Sequence, residues 1–161
     1  MEVVRQLNID DLEEIVKLRI KLQDYDLKYI NSNSAIINQN ELEKKTREYI
    51  KKSINNNLFM FGYFIDDKLV ANCGFYIDKH FPTYNNPSGI TGYICNVITL
   101  EEYRNKGYQK KTFNICFKFA KKIGITNFKL SSMNENAINL YKSFGFKNNN
   151  HTYTFKVQEK V

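Results

Sequence analysis

The chain has 161 residues, 42% of them apolar and 14% aromatic, which suits one domain with a core that needs no disulfide or metal staple. This composition excludes a disordered chain, and no apolar run approaches the ~20 residues of a helical membrane span. The formal net charge of +7 is compatible with an anionic partner, but lysine and asparagine are abundant along the whole chain, so bulk composition accounts for it equally well. The N-terminus lacks a basic-then-apolar leader, so a cytoplasmic location is expected. Cys73, Cys95 and Cys116 are odd in number and each sits in an apolar segment, the pattern of reduced packing residues, and no metal site is expected.

Residues 3–7 form a short extended segment. Asp10 and Asp11 then open a helix with Leu12, Ile15, Arg19 and Leu22 on one face. The polar stretch 31–40 interrupts the pattern before a second helix carrying Leu42, Thr46, Tyr49 and Ile50 at helical spacing. FMFGYFI (59–65), the turn residues Asp66 and Asp67, and KLVANCGFYI (68–77) predict an antiparallel hairpin. Residues 78–91 hold both prolines and form a loop. GYICNVITL (92–100) is a β-rich run. A third helix places Phe113, Cys116, Phe117 and Ala120 on one face and stops at Gly124, and NFKLSS (127–132) is a strand. Ala137, Leu140, Tyr141 and Phe144 stripe a fourth helix closed by Gly145, and residues 146–157 suggest a final hairpin.

Between the strand ending at Leu100 and the third helix lies RNKGYQKK, residues 104–111. A strand, a short basic loop and a helix start together make a physical anion site. The first helical N–H groups lack intrahelical partners, and the macrodipole adds about half a positive charge there. Gly107 lets a ligand approach the backbone, while Arg104, Lys106, Lys110 and Lys111 supply attraction. The same residues also suit an ordinary helix start with solvated lysines.

A second stretch, NENAINLYKSFGF (134–146), follows one helix and one strand later. VITLEEYRNKGYQ resembles the acetyl-CoA signature of the GNAT superfamily of N-acetyltransferases, Arg/Gln-x-x-Gly-x-Gly/Ala at a strand-to-helix junction. NENAINLYKSFGF is similar to that superfamily's Asn-x-x-Ala-x-x-Leu-Tyr-x-x-x-Gly-Phe motif. The element order is similar over nearly the whole chain. The resemblance implies a single α/β (α+β) domain over residues 1–161, with a mixed, mostly antiparallel central sheet of about seven strands flanked by four helices.

The resemblance also implies acetyl-CoA as cosubstrate. Its pyrophosphate would rest on Asn105, Lys106, Gly107, Tyr108, Gln109 and Lys110, with Arg104 opening the signature. Val97, Ile98 and Thr99 would pair through their backbone with the pantetheine arm, and Asn134 would hydrogen-bond that arm. Gln109 stands where the superfamily prefers Gly or Ala, so its side chain must turn aside or touch the cofactor from the side. Tyr141 would donate a proton to the departing thiolate, because a phenol with a pKa near 10 stays protonated at neutral pH. An ordinary core tyrosine would occupy the same stripe.

Freeing a lysine-like amine of its proton at pH 7 costs about 4.6 kcal/mol, yet neither strand flanking the third helix carries a carboxylate. Asp78, His80 or water is left as the general base. The expected activity is transfer of an acetyl group to a primary amine of a small molecule or peptide by direct attack in a ternary complex. Two alternatives stay open: an RNA-linked amine as acceptor, and a non-catalytic acyl-CoA-binding or regulatory module. A membrane partner is not expected, nucleic acid is not favoured, and the sequence allows a homodimer.

Overall fold

The computed structural model describes residues 1–27, 37–132 and 134–148. They fall into two compact units, residues 1–131 and residues 132–161. The first unit contains β1 (Glu2–Gln6), α1 (Leu12–Asp26), α2 (Gln39–Ser53), β2 (Leu58–Ile65), β3 (Lys68–Lys79), β4 (Ile90–Thr99), α3 (Tyr108–Lys122) and β5 (Phe128–Lys129). The second contains α4 (Glu135–Ser143).

The five strands form one open sheet in the order β1-β2-β3-β4-β5. The first three pairings are antiparallel, and β4 pairs β5 in parallel. The mixed, mostly antiparallel architecture with four helices is as expected, but the described residues hold five strands rather than about seven. The two others were expected at 146–157. Residues 146–148 are irregular, and the rest of that segment lies outside the described residues.

Alternation along β2 and β3 supplies two apolar faces. Phe59, Phe61 and Phe75 turn toward α3, where Phe59 and Phe61 meet Phe119 at ring distances of 5.1 and 5.5 Å. Phe113, Cys116 and Ala120 of α3 are fully buried, whereas Phe117 is half-buried and packs on Phe128. Leu58 and Met60 turn the other way, toward Ile15 of α1 and Ile50 of α2. Opposite faces of one sheet thus bury different helices.

Local signals account for the element boundaries. Asp66 and Asp67 both adopt positive φ, +47° and +64°, as a two-residue hairpin turn matching the strand twist requires. Asp10 and Asp11 stand at the opening of α1 as expected, with Asp11 its N-cap, but the Asp11 side chain makes no capping bond to the helix. Asn8, rather than Asp10 or Asp11, caps the preceding 3-10 turn by accepting the Asp10 N–H at 2.7 Å.

Asp11 is fixed by a bidentate pair with Arg5, at 2.8 and 2.7 Å, and by the Asn8 N–H at 3.0 Å. Burial works to raise the Asp11 carboxyl, but these bonds outweigh it and hold the group below its ordinary value. A depressed carboxylate contributes stability above the unfolded-state pKa of about 3.9 and loses it as pH falls through the folded value. Asp11→Asn is therefore expected to cost about 1–3 kcal/mol at neutral pH, with the difference shrinking below about pH 4. Urea melts across pH measure both effects.

Candidate functional site

In the middle of β4 the ladder with β3 is disturbed. Gly74 faces Cys95 and Asn72 faces Ile98, so one intervening residue on β3 opposes Asn96 and Val97 on β4. Asn96 absorbs the bulge with φ +52°. Its side chain donates to the Asn72 side-chain oxygen at 3.2 Å. Among the described residues Asn72 Nδ2 and Asn96 Oδ1 have no partner although both are buried, an arrangement that costs free energy unless something in the site uses it. On the outer side of β4, pairing with β5 covers only Gly92 and Tyr93. From Ile94 to Thr99 no strand among the described residues pairs with that edge, so it presents backbone groups to an added extended segment.

The octet follows. Glu101–Tyr103 is a 3-10 turn, Asn105 has φ +62°, and Gly107 is the N-cap of α3 at φ +77°. The first intrahelical bond runs from the Lys111 N–H to the Gly107 carbonyl at 3.1 Å, so the amides of Tyr108, Gln109 and Lys110 precede the ladder. No side chain caps them, and the first turn holds no acid. A Cβ added at Gly107 would meet nothing within 4 Å. These are the requirements of an anion cradle: unpartnered N–H groups, an open approach, and a dipole of the right sign.

The cations of the octet are differently employed. Arg104 donates to the Thr99 carbonyl at 3.2 Å and lies 4.8 Å over the Tyr25 ring. Lys106 donates to the Glu102 carbonyl at 3.2 Å. Lys111 donates to the Tyr63 hydroxyl at 3.1 Å and lies 3.9 Å from Glu2, beside the stacked Tyr63 and Tyr108 rings. Among the described residues Lys110 has no hydrogen bond or ion pair, and it is exposed.

Gln109 turns into the sheet. Its Nε2 donates to the Asn72 carbonyl at 3.0 Å, and its Oε1 accepts from the Thr99 hydroxyl at 3.0 Å. The side chain thus ties the start of α3 to β3 and β4 and leaves the mouth of the loop clear. Gln109→Ala is expected to cost about 1–2 kcal/mol of stability, read as a lowered denaturation midpoint, without tightening coenzyme A binding.

On the other face of the sheet, α1, α2 and β2–β4 line an open cavity of about 340 Å³. Leu42, Thr46, Tyr49 and Ile50, the stripe read from the α2 sequence, all line it, together with Arg19, Tyr76, Cys95 and Asn96. It therefore reaches the β4 bulge. Burial pushes the Cys95 thiol up to about 12, so it stays protonated and unsuited to act as a nucleophile at neutral pH. Among the described residues no carboxylate lines the cavity and no group of metal-ligating residues occurs.

The two side chains considered as bases lie off that lining. His80 Nδ1 contacts the Phe81 carbonyl at 2.9 Å, which requires Nδ1 to carry the proton, and Nε2 contacts the Thr91 hydroxyl at 2.9 Å. Asn86 contacts the same ring nitrogen at 3.3 Å and joins Thr91 and the Ile90 carbonyl. His80 thus braces the 80–89 loop. Asp78 sits on β3 opposite Thr91.

In the second unit, Asn134 precedes α4. Its carbonyl accepts the Ala137 N–H at 3.0 Å, and its own N–H donates to the Ser132 hydroxyl at 3.2 Å. Tyr141 lies within α4, its ring edge-on to Phe146 at 6.1 Å. Its carbonyl accepts from Phe144 and Phe146, which turns the chain at Gly145, φ +90°. Of the expected site residues, Val97, Ile98, Thr99 and Arg104–Lys110 share one stretch of the first unit, while Asn134 and Tyr141 belong to the second. Sequence alone did not single out Asn72, Asn96 or Arg19, although Arg19 interrupts an otherwise apolar stripe.

A bulged strand with a released edge, leading into a glycine-capped and uncapped-by-acid helix start, is the arrangement of a nucleotide-cofactor acyltransferase. The family model for the Acetyltransferase (GNAT) family matches residues 25–146, and the chain belongs to that family. A predicted acetyltransferase from Clostridium acetobutylicum, solved with acetyl-CoA, superposes with a TM-score of 0.81 at 22% identity, covering 97% of this chain and 96% of that one. An aminoglycoside N-acetyltransferase in complex with CoA superposes at 0.73 with 16% identity, covering 98% and 95%. A glucosamine-6-phosphate N-acetyltransferase from Arabidopsis thaliana superposes at 0.66 with 19% identity, covering 98% and 99%. No curated protein matches this sequence. No helix among the described residues is long and apolar enough to cross a membrane.

Proposed function

We propose that the 161 residues act as one acetyltransferase domain that moves an acetyl group from acetyl-CoA to a primary amine of a small molecule or peptide. The observation that carries this reading is the start of α3: unpartnered amides at Tyr108, Gln109 and Lys110, an unobstructed Gly107 at φ +77°, and no acid in the first turn. These residues, with Asn105 and Lys106, would hold the pyrophosphate, and Lys110 remains available to pair with it. Arg104 braces the loop through the Thr99 carbonyl. The β4 edge at Val97, Ile98 and Thr99 would pair with the pantetheine amides as a further strand does. Asn134 would bond the same arm.

When bound, acetyl-CoA supplies an activated thioester acyl group. The chain's own contribution is positioning and proton handling. The cavity beside Asn96 would hold the amine in line for direct attack, and the protonated Cys95 thiol favours this route over transfer through the enzyme. Tyr141 would return a proton to the leaving thiolate. With His80 committed to its loop and no carboxylate on the described lining, water would take the amine proton. Thiol release from acetyl-CoA over a panel of amines and peptides tests this reading. Coenzyme A that neither binds nor raises the melting temperature ends it.

A further inference from the structure

The cavity between α1, α2 and the β4 bulge is charged in one sense only. Arg19 projects into it from the apolar stripe of α1, and Lys45 stands at its rim, already paired with Glu41 at 3.6 Å. Among the described residues no hydrogen bond or salt bridge reaches the Arg19 guanidinium. Burial opposes its charge, Asp26 favours it only through space, and the protonated Cys95 thiol offers it no counter-charge. Arginine cannot shed that charge near neutral pH, and a guanidinium withdrawn from water without a partner is unfavourable. Its planar fork matches the geometry of a carboxylate or phosphate. Around it Ile15, Leu42, Leu58 and Met60 are apolar, and Tyr49 and Tyr76 add aromatic wall. A volume of about 340 Å³ is at the small end of ligand sites, which run to roughly 1,000 Å³.

We propose that the acceptor is a small primary amine that also carries an oxyanion, a carboxylate or phosphate, and that Arg19 binds this oxyanion inside the cavity. The proposal rests on the reading of this cavity as the acceptor site and narrows it. The oxyanion fixes one end of the acceptor at α1, leaving its amine to face the bulge at Asn96. Polycationic acceptors are disfavoured by the same charge.

The test uses the full chain with matched probes: phenylalanine against phenylalaninamide, O-phosphoethanolamine against ethanolamine, and spermidine as a polycation. Thiol release is expected to favour the oxyanion member of one pair, and which pair responds separates carboxylate from phosphate. Arg19→Gln should raise KM for that member by about tenfold or more, leaving KM for acetyl-CoA and the neutral partner unchanged. Arg19→Lys should recover part of the loss. Equal use of neutral amines or spermidine, or an Arg19→Gln effect shared by both members of a pair, overturns the proposal. A second readout needs no turnover. In protein saturated with coenzyme A, phenylalanine or O-phosphoethanolamine should raise the melting temperature of the wild type but not of Arg19→Gln. Failure of both to do so overturns the oxyanion site even if amines are acetylated. Binding without thiol release upholds the site and rejects acetyl transfer to amines.

Discussion

Gly107→Ala is expected to weaken coenzyme A binding by about 10–100-fold while leaving the protein folded, the loss corresponding to one or two charge-assisted hydrogen bonds. The added methyl meets no protein atom within 4 Å, so it causes no clash in the fold. Its effects arise elsewhere. An L-residue held at φ +77° costs about 1–2 kcal/mol, which the loop can relieve by rotating away and taking the amides of Tyr108 and Gln109 out of line. The methyl also fills the open side of the loop. Calorimetric titration with coenzyme A, beside a thermal melt of the variant, separates the two effects. An unchanged dissociation constant removes this loop from the site.

Tyr141→Phe is expected to lower kcat by about 10²–10³-fold, the usual reach of a positioned proton donor. The variant keeps the ring, and with it the edge-on contact with Phe146. It deletes only the hydroxyl, so KM for acetyl-CoA should stay within about twofold. That split marks a group that acts as the thiolate departs. Wild-type turnover by Tyr141→Phe would return this residue to the role of a core aromatic.

The fold was legible wherever one local signal acted alone. Asp66 and Asp67 announce a two-residue turn, and Gly124 and Gly145 end their helices at positive φ, as their positions suggested. Helical spacing marked the stripes of α2 and α3, while β2 stood out as a continuous β-rich run ending at the Asp66–Asp67 turn. Elsewhere a nearby residue competed and won. Asp10 and Asp11 do open α1, but the Asp11 carboxylate is taken by Arg5 and the Asn8 N–H instead of capping that helix, and Asn8 caps the 3-10 turn before it. NFKLSS has strand composition, yet only Phe128 and Lys129 pair, since β4 offers them a ladder only as far as Tyr93.

The site was legible to the extent that it is built from backbone. The glycine and its neighbours in the octet show up in one short run of sequence. The bulge at Asn96 does not, because it is a property of two strands in register, and neither strand carries it alone. Gln109 looked like an obstacle from its size. Its actual direction depends on the Asn72 carbonyl, 37 positions earlier in the chain. Arg19 was visible as a cation among Leu12, Ile15 and Leu22, but only the α2 and β4 walls around it show that it lines a pocket instead of standing on an outer helix face.

The surplus residue in β4 sets the local bend and leaves the phase of the strand intact. Before it, Tyr93 and Cys95 share the α1 side with Tyr76 and Gly74; beyond it, Ile98 and Leu100 lie in the core shared with α1, and Thr99 reaches Gln109 instead. Three positions separate Cys95 from Ile98, an odd step that would set them on opposite faces of a regular strand. The bulge absorbs one of them and keeps Ile98 and Leu100 in phase with Tyr93 and Cys95, so deleting one position here would spare that phase and abolish only the positive-φ bend at Asn96. A shortened strand would thus keep its core and straighten its cofactor edge, whereas a deletion within the regular ladder on either side of the bulge would turn every later side chain over.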